Sequence, residues 1–175
     1  MGRDKASLPW GEEDLLHAVL RALAPACSQL VVISNIKRSI AVSGVEVVAD
    51  TFQGCGPLGG IHAGLNAAKA DYSFVVACDM PFINGRAVAY LALMAAGFDA
   101  AVPFVDGHFH PLHAVYHRRC LVPIERMLLA GQCRVIDFYP EIGLRRISRA
   151  ELSQFDPELK MLSNLNSPQD LPFSL

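Results

Sequence analysis

Charge is scarce in this chain. Asp, Glu, Lys and Arg make up 18% of its 175 residues, against 52% hydrophobic residues. That balance excludes a disordered chain, which needs high charge and low hydrophobicity. No field of one sign is present either, since the formal net charge is −2. A global basic surface for nucleic acid or for an anionic membrane is therefore excluded. No apolar run approaches the length of a membrane span, and no signal-peptide pattern opens the chain, so a cytoplasmic protein without a membrane partner is expected. The five cysteines (Cys27, Cys55, Cys78, Cys120 and Cys133) are odd in number and contain no Cys-x-x-Cys pair. Five ordinary thiols are expected, not a disulfide framework or a structural zinc site. Gly-Lys-Ser/Thr does not occur, so the Walker loop is absent. Repeats, low-complexity tracts and linkers are lacking too, and the whole of 1–175 is expected to form one domain.

Helix and strand signals alternate through the chain. Leu15, Leu16, Val19, Leu20 and Leu23 make an apolar stripe at helical spacing over 14–24, stopped by Pro25. Residues 30–34 (LVVIS) and 45–49 (VEVVA) read as strands. A small-residue helix is expected over 59–68. Residues 72–78 read as a strand buried on both faces, because its apolar run is short, Val-rich and bounded. A helix over 86–96 closes at Gly97. Strands over 100–103 and 112–116 flank the Asp106-Gly107 turn signal. Helices over 118–130 and 134–139 and a strand over 144–147 follow. Ser167 with Pro168 and Asp170 reads as a helix start. The alternation predicts a three-layer α/β domain with a mostly parallel sheet.

Several residues stand where chemistry is done in such folds. Asp79 follows the apolar run 74–78 and precedes Met80-Pro81, at the carboxyl end of a strand. Ligands bind beyond such ends, and a carboxylate there can hold Mg²⁺ on a nucleotide phosphate. Asp50 and Asn35 end the two earlier strands. A carboxylate at position 50 can accept two hydrogen bonds from a guanine edge or a ribose. Residues 53–64 (QGCGPLGGIHAG) hold five glycines, which let a backbone turn tightly ahead of a helix N-terminus that favours anions. Lys5 can neutralise a phosphate as a point charge. His108, His110, His113 and His117 form a dense run, but an extended backbone puts His108 and His110 on one face and His113 on the other. Seven arginines against three acids between 118 and 149 suggest a pocket for a second, anionic substrate.

Taken in order, these pieces resemble the molybdenum cofactor guanylyltransferases, the MobA family. Met1-Gly2-Arg3-Asp4-Lys5-Ala6 is similar to the second half of that family's opening signature. Gly56-Pro57-Leu58-Gly59-Gly60-Ile61 resembles its Gly-Pro-Leu-Ala-Gly-Ile loop, and Cys78-Asp79-Met80-Pro81-Phe82 its Cys-Asp-x-Pro-Phe strand end. Pro111-Leu112-His113-Ala114-Val115-Tyr116, Gly131-Gln132-Cys133-Arg134-Val135 and Asn164-Leu165-Asn166-Ser167-Pro168-Gln169-Asp170-Leu171 match further segments. The resemblance implies a Rossmann-like nucleotidyltransferase fold that joins GMP from Mg-GTP to molybdopterin and releases pyrophosphate. It implies Lys5 on the GTP phosphates, Asn35 and Asp50 in the nucleotide pocket with the loop Gly56, Pro57, Leu58 and Gly59, Asp79 on Mg²⁺, and Asn164 and Asn166 beside the pterin phosphate. The nucleotide half would be about 1–100 and the pterin half about 101–175. Contacts with other molybdenum-cofactor enzymes are implied as well.

The family signature opens with a strand and a Leu-Ala-Gly-Gly loop ahead of the Met-Gly-x-Asp-Lys run. This central first strand is expected upstream of Met1, and without it two strand edges are left unpaired. A truncated, inactive paralogue or a pterin-binding module is the alternative. A cytidylyltransferase for the same pterin, or another small-substrate nucleotidyltransferase, is the nearest catalytic one.

Overall fold

The computed structural model describes residues 5–165, the side chain of Lys5 excepted. The apolar stripe sets the first helix. A small hairpin, β1 (Pro9–Trp10) and β2 (Glu13–Asp14), leads into α1 (Leu15–Leu23). Asp14 is its N-cap, accepting a hydrogen bond from the His17 amide at 2.9 Å, and all five stripe residues are buried. Next come β3 (Leu30–Ile33), β4 (Val45–Val48) and α2 (Gly56–Ala67). They are followed by β5 (Tyr72–Val76) and α3 (Gly85–Met94), which Asn84 caps through the amides of Arg86 and Ala87. β6 (Ala100–Val105) turns at Asp106-Gly107 into the two-residue β7 (His108–Phe109), and β8 (His113–His117) follows. A 3₁₀ turn, Arg118–Cys120, runs into α4 (Leu121–Leu129), and a second spans Val135–Glu141. β9 (Leu144–Ile147) and α5 (Arg149–Ser153) complete the regular elements apart from two short 3₁₀ turns, Lys5–Ser7 and Lys160–Leu162.

β3 and β4 pair in parallel. The larger sheet runs β5-β8-β6-β7, with β9 parallel to β6 on its other side. β8 is antiparallel to both β5 and β6, so those two run the same way. Gln29, just before β3, bonds to the carbonyl of Ala67 and the amide of Lys69, just before β5. β3 and β5 therefore start at the same end. The principal strands share one direction, and β8 runs against it as the one long reversal.

Three layers result. On one face α2, α4 and the Val135–Glu141 turn bury Leu58, Ile61, Ile124 and Phe138 against Val102 and Tyr116. On the other, α3 and α5 pack Leu91 and Leu152 against Ala101 and Val115, while α1 packs Val19 and Leu23 on Val88, Leu30 and Phe74.

Three expectations need correction. α2 starts at Gly56, not at 59, because Pro57 lies in the first turn, where no amide donor is needed. α5 was not anticipated; its capping box, Ser148 with Glu151, starts a helix too short to show an apolar period. The strand expected to be buried on both faces, β5, is only half-buried along its whole length, and so is most of β3. No hydrogen bond joins these two strands among the described residues, and a cleft of about 450 Å³ lies between them.

Candidate nucleotide-binding site

The carboxyl ends of β3, β4 and β5 bring most of the expected residues to one rim. Asn35 lies two residues beyond β3 and Asp50 two beyond β4. The Asp50 amide donates to Asn35 Oδ1 at 2.8 Å, which ties the two loops together. Asp50 Oδ1 in turn accepts from the Phe52 amide at 2.8 Å, an Asx-type turn that aims the carboxylate at the start of α2. There it lies directly on Gly59. A Cβ at position 59 would come within 2.7 Å of Asp50 Oδ2, so only glycine admits this approach. Asp50 Oδ2 carries no hydrogen bond among the described residues.

The first turn of α2 completes this corner. Gly56 has φ +55°, a left-handed conformation that suits glycine. The N-cap residue, Cys55, makes no side-chain capping bond to the amides of the first turn. Gly56 and Pro57 are exposed, whereas Leu58 is fully buried in the core, so only its backbone faces the rim. An uncapped helix N-terminus beside a carboxylate can bind a phosphate and a base donor at once.

Asp79 lies three residues past β5, with 7% exposure. The strand stops earlier than expected because Cys78 and Asp79 form a turn, closed by the Met80 amide on the Ala77 carbonyl at 3.2 Å. The Leu165 amide donates to the Asp79 carbonyl at 2.8 Å, which brings exposed Asn164 beside it. A single hard carboxylate at a strand end suits Mg²⁺, which is ordinarily held by one or two carboxylates plus substrate phosphates. Among the described residues no cluster of three or more His, Cys, Asp or Glu side chains could hold a metal alone. Lys5 belongs to the 3₁₀ turn Lys5–Ser7, whose Ala6 shares a buried apolar cluster with Val32, against which Cys78 packs; the Lys5 side chain, and all of Asn166, lie outside the described residues.

The remaining candidates are dispersed. The arginines of 118–149 do not line one pocket. Arg118, Arg119, Arg126, Arg134, Arg145 and Arg149 face Asp71, Asp99, Glu141, Asp137, Glu151 and Asp106 in turn. The Gly143 amide and Arg119 together hold the Asp99 carboxyl below the usual range. Arg146 differs, lying 5.3 and 5.4 Å from the rings of Phe104 and Phe109. This cation on two rings, next to the β6–β7 turn, was missed; aromatic residues on both sides of Asp106-Gly107 were its only sequence signal. The histidines also separate. His108 is exposed and bonds the Asp106 carbonyl, and His117 caps the Arg118–Cys120 turn through the Arg119 amide. His113 is fully buried in β8.

The cysteine expectation needs correction. Cys55 and Cys133 form a disulfide, with Cα atoms 4.8 Å apart across 78 residues of sequence, and Cys27, Cys78 and Cys120 remain thiols. The packing of α2 on α4 brings the loops before and after these helices together, which spacing alone does not reveal. Burial pushes the Cys120 thiol up to about 12.

Residues 1–144 match the family model described as the MobA-like NTP transferase domain. A probable molybdenum cofactor guanylyltransferase from Pelotomaculum thermopropionicum is 37% identical over 98% of this chain and 83% of its own length. Another with the same description, from Clostridium perfringens, is 35% identical over 94% of this chain and 84% of its own. Among solved structures, molybdopterin-guanine dinucleotide biosynthesis protein A from Archaeoglobus fulgidus superposes with a TM-score of 0.81 at 26% identity, over 97% of this chain and 87% of that one. The 2-C-methyl-D-erythritol 4-phosphate cytidylyltransferase of Thermus thermophilus, at 0.72 and 16% identity over 95% and 89%, shares the fold. The chain belongs to the MobA-like NTP transferase family, a family of nucleotidyltransferase enzymes with this Rossmann-like α/β fold.

Proposed function

We propose that this protein transfers GMP from Mg-GTP to molybdopterin, releasing pyrophosphate. The observation that carries the reading is the Asn35–Asp50–Gly59 corner at the start of α2. A carboxylate only accepts hydrogen bonds. The Watson–Crick edge of guanine offers two adjacent donors, whereas cytosine would turn its N3 lone pair toward a carboxylate oxygen. Asp50 therefore favours GTP over CTP. The names of the relatives from Pelotomaculum and Clostridium agree with this choice.

A terminal phosphate oxygen of molybdopterin forms the new bond to the α-phosphorus of GTP. The bond from that phosphorus to the α,β-bridging oxygen breaks, and pyrophosphate leaves with the electron pair. The attacking phosphate is already ionised, so no general base is required. Asp79 would hold Mg²⁺, which neutralises phosphate charge when bound. Lys5 and the amides of α2 would hold the nucleotide phosphates, and Asn164 with Asn166 the pterin phosphate. The nucleotide half would be about 1–100 and the pterin half about 101–175. Such chemistry on a substrate made and used inside the cell fits a cytoplasmic enzyme.

Calorimetric titration with Mg-GTP and Mg-CTP tests this. Mg-GTP should bind more tightly, and Asp50→Ala should weaken it at least about tenfold, the value of a hydrogen bond to a charged group. Asp79→Ala should remove the Mg²⁺ dependence of binding and abolish pyrophosphate release. Equal binding of GTP and CTP, or wild-type GTP affinity in Asp50→Ala, overturns the guanine assignment.

A further inference from the structure

The Cys55–Cys133 disulfide stands at the edge of the nucleotide corner, and guanylyl transfer gives it no part. Cys55 is the N-cap residue of α2, one turn ahead of the Gly59 on which Asp50 rests. Gly54 (φ +90°) and Gly56 (φ +55°) flank it, so the bond pins a loop whose backbone has unusual freedom. Cys133 lies between α4 and the Val135–Glu141 turn. Both cysteines are half-buried, within reach of a thiol from solvent, whereas the thiol of Cys120 is sealed in the core.

Opening the bond leaves the two helices packed. Leu58, Ile61 and Leu65 of α2 share one buried apolar cluster with Ile124, Met127 and Leu128 of α4, and that packing needs no sulfur bond. What the bond restrains is the loop before α2. There the Phe52 amide donates to Asp50 Oδ1 at 2.8 Å, and the Cys55 amide donates to the Phe52 carbonyl at 3.2 Å. Asp50, this loop and the first turn of α2 thus form one run of contacts that ends at the disulfide.

We propose that Cys55–Cys133 is a thiol–disulfide exchange site for a dithiol reductant, and that its state sets the order of the nucleotide corner. The link to the nucleotide rests on the guanylyl-transfer reading; the exchange site does not. A thiolate of the reductant forms a bond to Cys133 Sγ, and the bond between Cys133 and Cys55 breaks. Cys55 Sγ leaves with the electron pair, because the N-terminus of α2 stabilises a thiolate there. The second thiolate of the reductant then displaces Cys133 Sγ from the mixed disulfide. The protein gains two thiols, which take up the reductant's two protons, and the reductant leaves as a cyclic disulfide, oxidised by two electrons. In the oxidised protein the loop is held ready for a nucleotide. In the reduced protein it is free, so binding has to order it again and affinity falls.

Thiol alkylation and amide exchange test the site without any nucleotide. The protein is compared after oxidised glutathione, after dithiothreitol, and as Cys133→Ser. Native alkylation should label Cys55 and Cys133 only after dithiothreitol, and a Cys55–Cys133 peptide should be recovered after oxidation. The Phe52 and Cys55 amides should exchange at least about tenfold faster in the reduced protein. Cys133→Ser should match the reduced protein with or without dithiothreitol. Mg-GTP should bind the reduced protein at least about threefold more weakly than the oxidised one, reversibly. Failure to form the Cys55–Cys133 peptide overturns the proposal, and so does equal amide exchange in the two states. A dithiothreitol response that persists in Cys133→Ser also overturns it, and moves the effect to another thiol. Equal Mg-GTP affinity in the two states overturns the link to the nucleotide corner. Absence of Mg-GTP binding in both states counts against guanylyl transfer instead, while the amides still decide the exchange site.

Discussion

Neither ring nitrogen of His113 has a hydrogen-bond partner among the described residues, and its imidazole meets Phe74 edge-on at 5.0 Å. Burial pushes its pKa down from 6.5 to about 3, and His110 pushes in the same direction. The folded chain thus keeps this group neutral. The unfolded chain protonates it below about 6.5, so between the two values the unfolded state binds more protons. Stability should fall as pH drops from about 6.5 toward 3, with a contribution of up to ~1.4 kcal/mol per pH unit from this residue. Urea unfolding across that range, on the wild type and His113→Leu, checks it: the variant should lose about one proton of slope, and parallel curves would remove His113 from the account. The sequence placed His113 opposite His108 and His110 by strand alternation; in the structure His113 is buried and His108 exposed. It said nothing of the arginine partners, because an ion pair such as Arg119 with Asp99 depends on tertiary approach. Asn35, Asp50, Gly59 and Asp79 were legible for a better reason: a polar residue ending an apolar run, or a glycine before a helix, is a local signal. The disulfide was not, since no local rule joins Cys55 to Cys133.

Among the elements, α2 shows how a local signal can be read correctly in kind and wrongly in extent. Gly59-Gly60 suggested a helix start, yet the helix begins at Gly56 and carries Gly59 into its first turn. Gly59 is needed there less for backbone freedom than for what lies against it. Gly59→Ala would put a methyl group 2.7 Å from Asp50 Oδ2, and the carboxylate would have to move off the helix start. Helix propensity alone would favour the alanine by about 1 kcal/mol. The variant should therefore fold with near wild-type stability while losing at least about tenfold in Mg-GTP affinity. Thermal melts and nucleotide titration on the same sample separate these effects; undiminished affinity would show that Asp50 is not held in place by the close approach. β5 teaches the complementary lesson. Its apolar composition was read as burial on both faces, which composition does predict for a strand with two neighbours. With β8 on one edge and the cleft on the other, the same residues are half-exposed.

For the molecule as a whole, the cleft divides regions of unequal stability. β6 and β8 are buried almost throughout, and their ladder carries two of the main apolar clusters on its faces. Among the described residues β3 and β4 have only each other as hydrogen-bonded strand neighbours, and Val32 is the one buried residue in the pair. A two-stranded sheet with half-exposed edges depends on the helices packed on it, here α1 and part of α2. Local opening follows such differences, because segments with few buried apolar neighbours unfold at lower free energy than the global transition. The amides of Val31 and Val32 should consequently exchange faster than those of Ala101, Val102 and Val115, and their opening free energies should lie below the global value from denaturant unfolding. Native-state exchange at increasing urea measures both. If all these amides instead merged into one isotherm at the global free energy, the β3–β4 unit would be held as firmly as the main sheet. Asn35 and Asp50 sit on the weaker unit and Asp79 on the stronger one, so the same experiment reports how much of the nucleotide corner is organised before a ligand arrives.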